Sequence, residues 1–269
     1  MTSRREFLAA SLLMPAPGGE PPKLIAQGYV FTQEFSRRKV ALADGLGEIV
    51  ATTRDAGFHG IELMSQMFTP ELGPRTVELA HNDGIGVPIT YSGGRMHEAD
   101  AAAKAITNVL ALAAAAAGAG TVAIDMNPDP IGREKTDAEL AVQAENLNGL
   151  GEALRKREQR LFVHHHTPEM ANNAREWHHI LNHTDPALVW LTVDTHWAYR
   201  GGQDWMGIVR EAGKRLASLQ TQCAACGRNR SAKATSTTRN WRITCANPTF
   251  IPISSSNSHT KRRRRTGVR

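Results

Sequence analysis

The first 220 residues of this chain contain no cysteine, because the three cysteines of the sequence, Cys223, Cys226 and Cys245, all follow them. A disulfide framework and a cysteine nucleophile are therefore excluded for this part of the chain. The sequence also lacks a phosphate-binding loop of the GxxxxGK[ST] type and a complete glycine fingerprint for dinucleotides, so nucleotide chemistry is not indicated. No run approaches the roughly 18 consecutive apolar residues that a membrane-spanning helix needs.

Acidic residues are missing from the other end of the chain. Residues 1–220 hold 21 Lys and Arg against 26 Asp and Glu, whereas residues 221–269 hold 11 basic residues and no acidic one. The overall charge of +6 therefore comes from the tail alone. The tail is rich in Ser, Thr, Asn and Arg and poor in apolar periodicity, so we expect it to be largely disordered. We do not expect nucleic acid as a partner.

The N-terminal residues 1–22 have the order of a twin-arginine export signal. Arg4 and Arg5 precede Phe7-Leu8 and a short apolar stretch, and Pro15 and Pro17 then lead into a linker. The sequence therefore predicts a periplasmic or otherwise exported protein with no membrane contact after export. A cytoplasmic location follows if this segment is an ordinary charged N-terminus.

Between residues 23 and 220, short apolar runs alternate with helix-period segments, which predicts an α/β fold with a parallel sheet. Seven strands are expected, at 24–26, 60–64, 87–90, 121–125, 161–164, 188–194 and 216–219. Their spacing of roughly 30 residues is typical of a (β/α)8 TIM barrel, in which about 250 residues make eight units. The eighth strand is not recognisable, and we therefore expect an incomplete barrel with an exposed sheet edge.

Metal-binding residue types follow two neighbouring predicted strands. His164 and His166 point to the same side of a strand, Glu169 lies three residues further on, and Asp194 ends the next strand. Imidazole and carboxylate groups suit Zn, Mn, Mg, Co or Fe as divalent ions. The competing interpretation is that the histidines are polar rim residues and that Asp194 caps the following helix.

Further candidates are substrate-binding residues. Glu62 is an acidic residue inside an apolar strand, where it must be paired or solvated, and it could bind a substrate hydroxyl. Trp197 and Tyr29 could form an apolar wall against a sugar face, although aromatic residues in such places are also ordinary core.

Four segments together resemble the sugar phosphate isomerase/epimerase family of xylose isomerase-like barrels: QGYVF at 27–31, AGFHGIEL at 56–63, HHHTPEM at 164–170, and DTHW at 194–197 with GGQD at 201–204. The resemblance implies a divalent ion at the strand ends, with Asp194 as its sixth-strand ligand. It also implies a sugar or sugar phosphate as substrate and proton transfer next to a carbonyl through an enediolate. Glu169 and His196 are the candidate catalytic residues.

The sequence departs from the family at three places. Phe162 stands where epimerising members carry a fifth-strand Glu, Gln220 stands where the seventh strand should lead into a metal-binding His, and the eighth-strand carboxylate is missing. Because acidic residues, periodicity and resemblance all stop at Gln220, we interpret the tail as the product of a reading-frame change.

The sequence thus predicts a metal-dependent sugar isomerase or epimerase, or the remains of one. A keto-sugar lyase or hydrolase of the same barrel family and a non-catalytic sugar-binding barrel are the alternatives. The tail offers a third interpretation, in which its cysteines and His259 bind zinc and its arginine run binds nucleic acid. The sequence is compatible with an oligomer.

Overall fold

The computed structural model describes residues 23–222 and 242–246. The export signal and most of the basic tail lie outside these ranges. In the first range, seven parallel strands alternate with helices, as the periodicity predicts. The strands are β1 Lys23–Gln27, β2 Gly60–Met64, β3 Gly86–Gly94, β4 Ala123–Pro128, β5 Arg160–Val163, β6 Val189–Asp194 and β7 Leu216–Gln222.

Eight helices lie within residues 23–222, each following a strand or another helix. They are α1 Tyr29–Arg38, α2 Leu42–Asp55, α3 Gly73–Asp83, α4 Ala99–Ala117, α5 Asp137–Arg155, α6 Thr167–His183, α7 Thr195–Arg200 and α8 Trp205–Ala212. Helix α4 is long and apolar enough to cross a membrane by length and composition alone. It packs on β3 and α5, as an outer helix of a barrel does.

Local sequence accounts for the helix ends near the site. Helix α5 begins with a capping box, in which the Thr136 hydroxyl accepts from the Glu139 backbone and the Glu139 carboxylate accepts from the Thr136 backbone. Helix α6 has Pro168 in its first turn, where the missing N–H costs nothing. It is interrupted at residues 171–174, where Asn172, Asn173 and Ala174 adopt positive φ angles.

The barrel is closed by a strand that the sequence analysis did not predict. Strand β8, Arg242–Ala246, pairs antiparallel with both β1 and β7. The expected exposed edge is therefore wrong, because each of these two strands has a partner on this side. Within residues 23–222 and 242–246, the seven parallel strands are not joined by the eighth parallel strand of a complete TIM barrel.

The barrel interior is layered. Ile25, Ile89, Ala123, Phe162 and Ala217, from β1, β3, β4, β5 and β7, form a small buried apolar cluster. The side-chain period of a strand is two, so Gln27 and Asp125 lie on the same side as Ile25 and Ala123, one step closer to the strand ends. A polar layer is thereby placed above the apolar one, at the carboxyl-terminal end of the barrel.

Candidate functional site at the carboxyl-terminal end of the barrel

Four ionisable side chains come together in this polar layer, each from a different strand end. Glu62 lies in β2, Asp125 in β4, His164 directly after β5 and Asp194 at the end of β6. Each is at most 1% exposed. Burying ionisable groups costs free energy of folding unless they are paired. A cluster of four such groups is therefore a candidate functional site.

Gln220, in β7, connects three of these groups. Its Nε2 donates to Glu62 Oε2 at 3.2 Å and to Asp125 Oδ2 at 3.3 Å. Its Oε1 accepts from Gln27 Nε2 at 3.1 Å and lies 3.1 Å from His164 Nε2. Asp125 is held from its other oxygen by the Thr192 hydroxyl, which donates to Oδ1 at 2.8 Å.

Asp194 has two roles, one for each carboxylate oxygen. Oδ1 accepts from the backbone N–H of His196 at 2.8 Å and of Trp197 at 3.2 Å, which caps α7. Oδ2 lies 3.8 Å from His164 Nε2 as a buried ion pair. Burial opposes the charge of Asp194, but His164 outweighs it and lowers the carboxyl pKa to about 2. The capping interpretation and the site interpretation of Asp194 therefore both apply.

His164 is the charged partner of this layer. Burial alone would lower its pKa, but the pairing with Asp194 and the nearby charges of Asp125 and Glu62 raise the pKa to about 8. Asp125 behaves differently, because burial is the largest influence on it and raises its pKa. The His164 imidazolium thus faces several carboxyl groups. These groups titrate together, so the protonation of each depends on the charge of the others.

His165 is held neutral beside the charged His164. Its Nε2 accepts from the backbone N–H of Asp194 at 3.1 Å, which places the ring proton on Nδ1. Burial is the main cause that lowers the pKa of His165 to about 3, and the His164 charge adds to it. This ring fixes the end of β6 to the segment after β5.

Glu169 lies in the first turn of α6, three residues after His166. Its Oε2 accepts from the backbone N–H of His166 at 2.7 Å. The carboxyl is fully buried, and burial is the first cause of its raised pKa. Its Oε1 has no hydrogen-bond partner within the described ranges. The carboxyl is therefore positioned by one oxygen and leaves the other available.

Aromatic rings pack in a chain that begins at His164 in the layer. His166 packs edge-on against His164, with centroids 4.7 Å apart, and against Trp197 at 5.3 Å. The His196 ring lies 4.8 Å from that of Trp197. Tyr29, at the start of α1, is 38% exposed. Trp197, which was predicted to form an apolar wall, therefore packs against two histidine rings, those of His166 and His196.

Sequence reasoning found Glu62, His164 and Asp194 but missed Asp125. Strand β4 continues to Pro128, beyond the end of the strand predicted at 121–125. An acidic residue inside an apolar strand, as at Glu62, was the available signal. Gln27, Thr192 and His165 were also missed.

The layer has donor atoms that suit a divalent ion but not the arrangement of a metal site. Among the residues that the structure describes, no three His, Cys, Asp or Glu side chains are grouped as ligands of one ion. The Gln220 amide N–H groups point at Glu62 and Asp125, and Glu169 Oε2 is taken by a backbone N–H. The residues as arranged therefore do not fit a metal ion.

No family model and no curated protein sequence matches this chain. Solved structures with the same fold do. A sugar phosphate isomerase/epimerase from Parabacteroides distasonis is 18% identical, with a TM-score of 0.60 over 76% of each chain. The 3-keto-D-glucoside 4-epimerase of E. coli is 12% identical, with a TM-score of 0.56 over 65% of this chain and 73% of that one.

D-psicose 3-epimerase from Clostridium cellulolyticum, solved with D-tagatose, is 13% identical, with a TM-score of 0.53 over 65% of this chain and 66% of that one. These similarities confirm that the chain has the barrel fold seen in the solved sugar phosphate isomerase/epimerase structures.

Proposed function

We propose that this chain is a sugar isomerase or epimerase that binds a small sugar or sugar phosphate at the carboxyl-terminal end of its barrel. The observation that carries the proposal is the convergence of Glu62, Asp125, His164 and Asp194 from four strand ends. Active sites of TIM barrels lie at this end. Carboxyl, amide and imidazole groups in a buried layer also suit the many hydroxyl groups of a sugar.

The proposed reaction moves a proton on the carbon next to a carbonyl, through an enediolate. His164 is a hydrogen-bond donor for the carbonyl oxygen, because its raised pKa keeps it protonated at neutral pH. Glu169 is the proposed proton acceptor, since its pKa is raised by burial and its Oε1 is available. His196, whose ring packs against Trp197, is the second candidate for proton transfer.

A divalent ion is implied by the family resemblance and would polarise the carbonyl and the adjacent hydroxyl. His164, His166, Glu169 and Asp194 were the ligands predicted for it. The hydrogen bonds of Gln220 and Glu169 do not leave these donors in a ligand arrangement, so the proposal relies on side chains of this chain alone.

Deuterium exchange tests the proposal directly. Ketoses and their phosphates are incubated with the chain in D2O, and NMR follows exchange at the carbon next to the carbonyl, which reports proton transfer even without net conversion. We expect Glu169→Gln to lose exchange by about 100-fold or more. Glu145→Gln, on an exposed position of α5, is the matched control and should keep the parent rate. Exchange by Glu169→Gln at the parent rate would remove Glu169 from this role.

The second candidate is a non-catalytic sugar-binding barrel. It is favoured by Gln220, which occupies the seventh-strand position with a neutral amide whose hydrogen bonds are all made to other residues of the layer. Sugar binding in a titration together with no exchange in D2O would support it. Release of a cleaved or dehydrated product would instead support the lyase or hydrolase alternative.

We also propose export through the twin-arginine pathway. The support is the order of residues in the segment 1–22. Replacing Arg4 and Arg5 by lysine should keep the chain in the cytoplasm of a bacterial host, as cell fractionation would measure. An unchanged distribution would contradict export by this pathway.

A further inference from the structure

We infer that the Gln220 amide takes the place of a cation in the polar layer, so that this chain holds its carboxyl groups together without a metal ion. The inference concerns the layer itself and stands whichever sugar is bound. It makes Gln220 a positioning residue rather than a vacant ligand position.

The hydrogen bonds of Gln220 exhaust what a primary amide can form. The NH2 group has two donors, and they go to Glu62 and Asp125. The carbonyl oxygen has two lone pairs, and they receive Gln27 and His164. Gln220 is 2% exposed, so no bulk water competes for these bonds. A fully satisfied buried amide is an expensive group to move.

The partners also fix which way the amide faces. The opposite orientation would place the amide oxygen against two carboxylate oxygens and the NH2 group against the Gln27 amide nitrogen. Donor would then meet donor and acceptor would meet acceptor. The positive edge of the amide therefore points between Glu62 and Asp125, where it serves both carboxyl groups as a shared cation would.

A metal ion competes with this arrangement at each donor. Ligation between Glu62 and Asp125 would place an ion where the Gln220 amide N–H groups already donate. His164 Nε2 carries a proton toward the Gln220 oxygen, and a protonated nitrogen is not a metal ligand. An ion would have to displace three hydrogen bonds of one buried side chain, and the amide nitrogen offers it no lone pair.

Substitution of Gln220 by its near-isosteric acid tests the inference. Gln220→Glu replaces the two donors by a carboxylate oxygen among existing carboxyl groups. We expect a metal-free Gln220→Glu chain that is less stable than the parent, because like charges then face each other. We expect it to bind Mn²⁺ at least about tenfold more tightly than the parent, as one added ligand group warrants. Mn²⁺ is the probe because it prefers oxygen and nitrogen over thiolate ligands, so the tail cysteines do not compete.

Gln220→Leu is the matched control, since it removes the amide without adding a ligand. It should lose stability, and it should gain less Mn²⁺ affinity than Gln220→Glu, because it removes the competing hydrogen bonds but adds no ligand. The readouts are Mn²⁺ binding by electron paramagnetic resonance and thermal unfolding with Mn²⁺ or EDTA, both on the full chain. The parent should unfold at the same temperature in either solution.

Two results would overturn the inference. One is stoichiometric Mn²⁺ binding by the parent chain that disappears in Asp194→Asn, since the layer would then hold a metal despite Gln220. The other is a folded Gln220→Glu chain with no gain in Mn²⁺ affinity. Neither result depends on sugar turnover, so failure of the inference is separate from failure of the proposed reaction.

Discussion

At the scale of single residues, His164 and His165 are sequence neighbours with opposite preferences for charge. The pKa of His164 is raised to about 8 and that of His165 is lowered to about 3, whereas both lie near 6.5 in an unfolded chain. Above pH 6.5, the folded chain holds a proton on His164 that the unfolded chain has lost, so stability falls as pH rises through 8. Below pH 6.5, the unfolded chain protonates His165 first, so stability falls toward pH 3.

The two histidines therefore predict separable slopes of stability against pH. In the metal-free parent, each should contribute about 1.4 kcal/mol per pH unit within its window. His164→Gln should flatten the fall between pH 6.5 and 8, and His165→Gln should flatten part of the fall on the acid side. Urea unfolding at a series of pH values measures both. Equal profiles for the two variants would contradict this assignment of charge.

Two substitutions at Asp194 can separate the stability that comes from the helix cap from the stability that comes from the ion pair with His164. Asparagine at 194 keeps a side-chain oxygen for the His196 and Trp197 N–H groups but loses the charge that faces His164. We expect Asp194→Asn to lower the free energy of unfolding by about 3 kcal/mol at pH 6, where His164 is charged. Asp194→Ala should cost about 1 kcal/mol more, through the lost cap. Equal losses in chemical denaturation would show that the cap contributes nothing.

The site residues that could be predicted from sequence are the ionisable ones that lie within or next to apolar strands. Glu62 and Asp194 interrupt or end apolar strands, and His164 follows one, so strand parity sends them to one end of a barrel. Gln27 and Gln220 carry no such signal, because an amide is equally common on a surface. The two residues lie 193 positions apart in sequence, and only the closed sheet brings their side chains into contact.

At the scale of the elements, helix α5 contains two glycines with opposite surroundings. Gly149 is exposed, and a Cβ there would meet nothing within 4 Å. Gly151 is buried against the connection to β6, and a Cβ there would lie 2.6 Å from the Leu188 carbonyl oxygen. The same substitution at these two positions therefore compares the effect of helix propensity with the effect of close packing.

We expect Gly149→Ala to stabilise the chain by about 0.5–1 kcal/mol, because alanine loses less backbone entropy in a helix. Gly151→Ala should destabilise it by about 1–3 kcal/mol, because the backbone of the Leu188 segment must move away. Thermal and urea unfolding of both variants check the opposite signs. A stabilising Gly151→Ala would mean that α5 can shift outward without cost.

The strands and helices were predictable because local periodicity decides them. All seven predicted strands overlap the observed ones, and the ends differ by a few residues. Strand β8 was not predictable, since the five residues RITCA have no flanking signal and lie in a segment without acidic residues. Its pairing with β1 joins residues more than 200 positions apart, which no local pattern encodes.

At the scale of the whole molecule, β8 decides whether the barrel has free edges. Seven parallel strands alone would leave the N–H and C=O groups of β1 and β7 unpaired on one side, and such edges template aggregation. Strand β8 covers both through antiparallel ladders, with Leu24 opposite Cys245 on one side and Leu219 opposite Cys245 on the other. A short segment of the basic tail thereby replaces the missing parallel strand.

Two truncations that differ only in this strand measure its contribution. A chain ending at residue 246 keeps β8 and should remain monodisperse, with a melting temperature close to that of the full chain. A chain ending at residue 241 exposes both edges, and we expect it to aggregate and to unfold at a lower temperature. Light scattering and calorimetry distinguish them. Identical behaviour would mean that residues 23–222 tolerate open edges, and the tail would then contribute nothing to the fold despite the pairing that closes it.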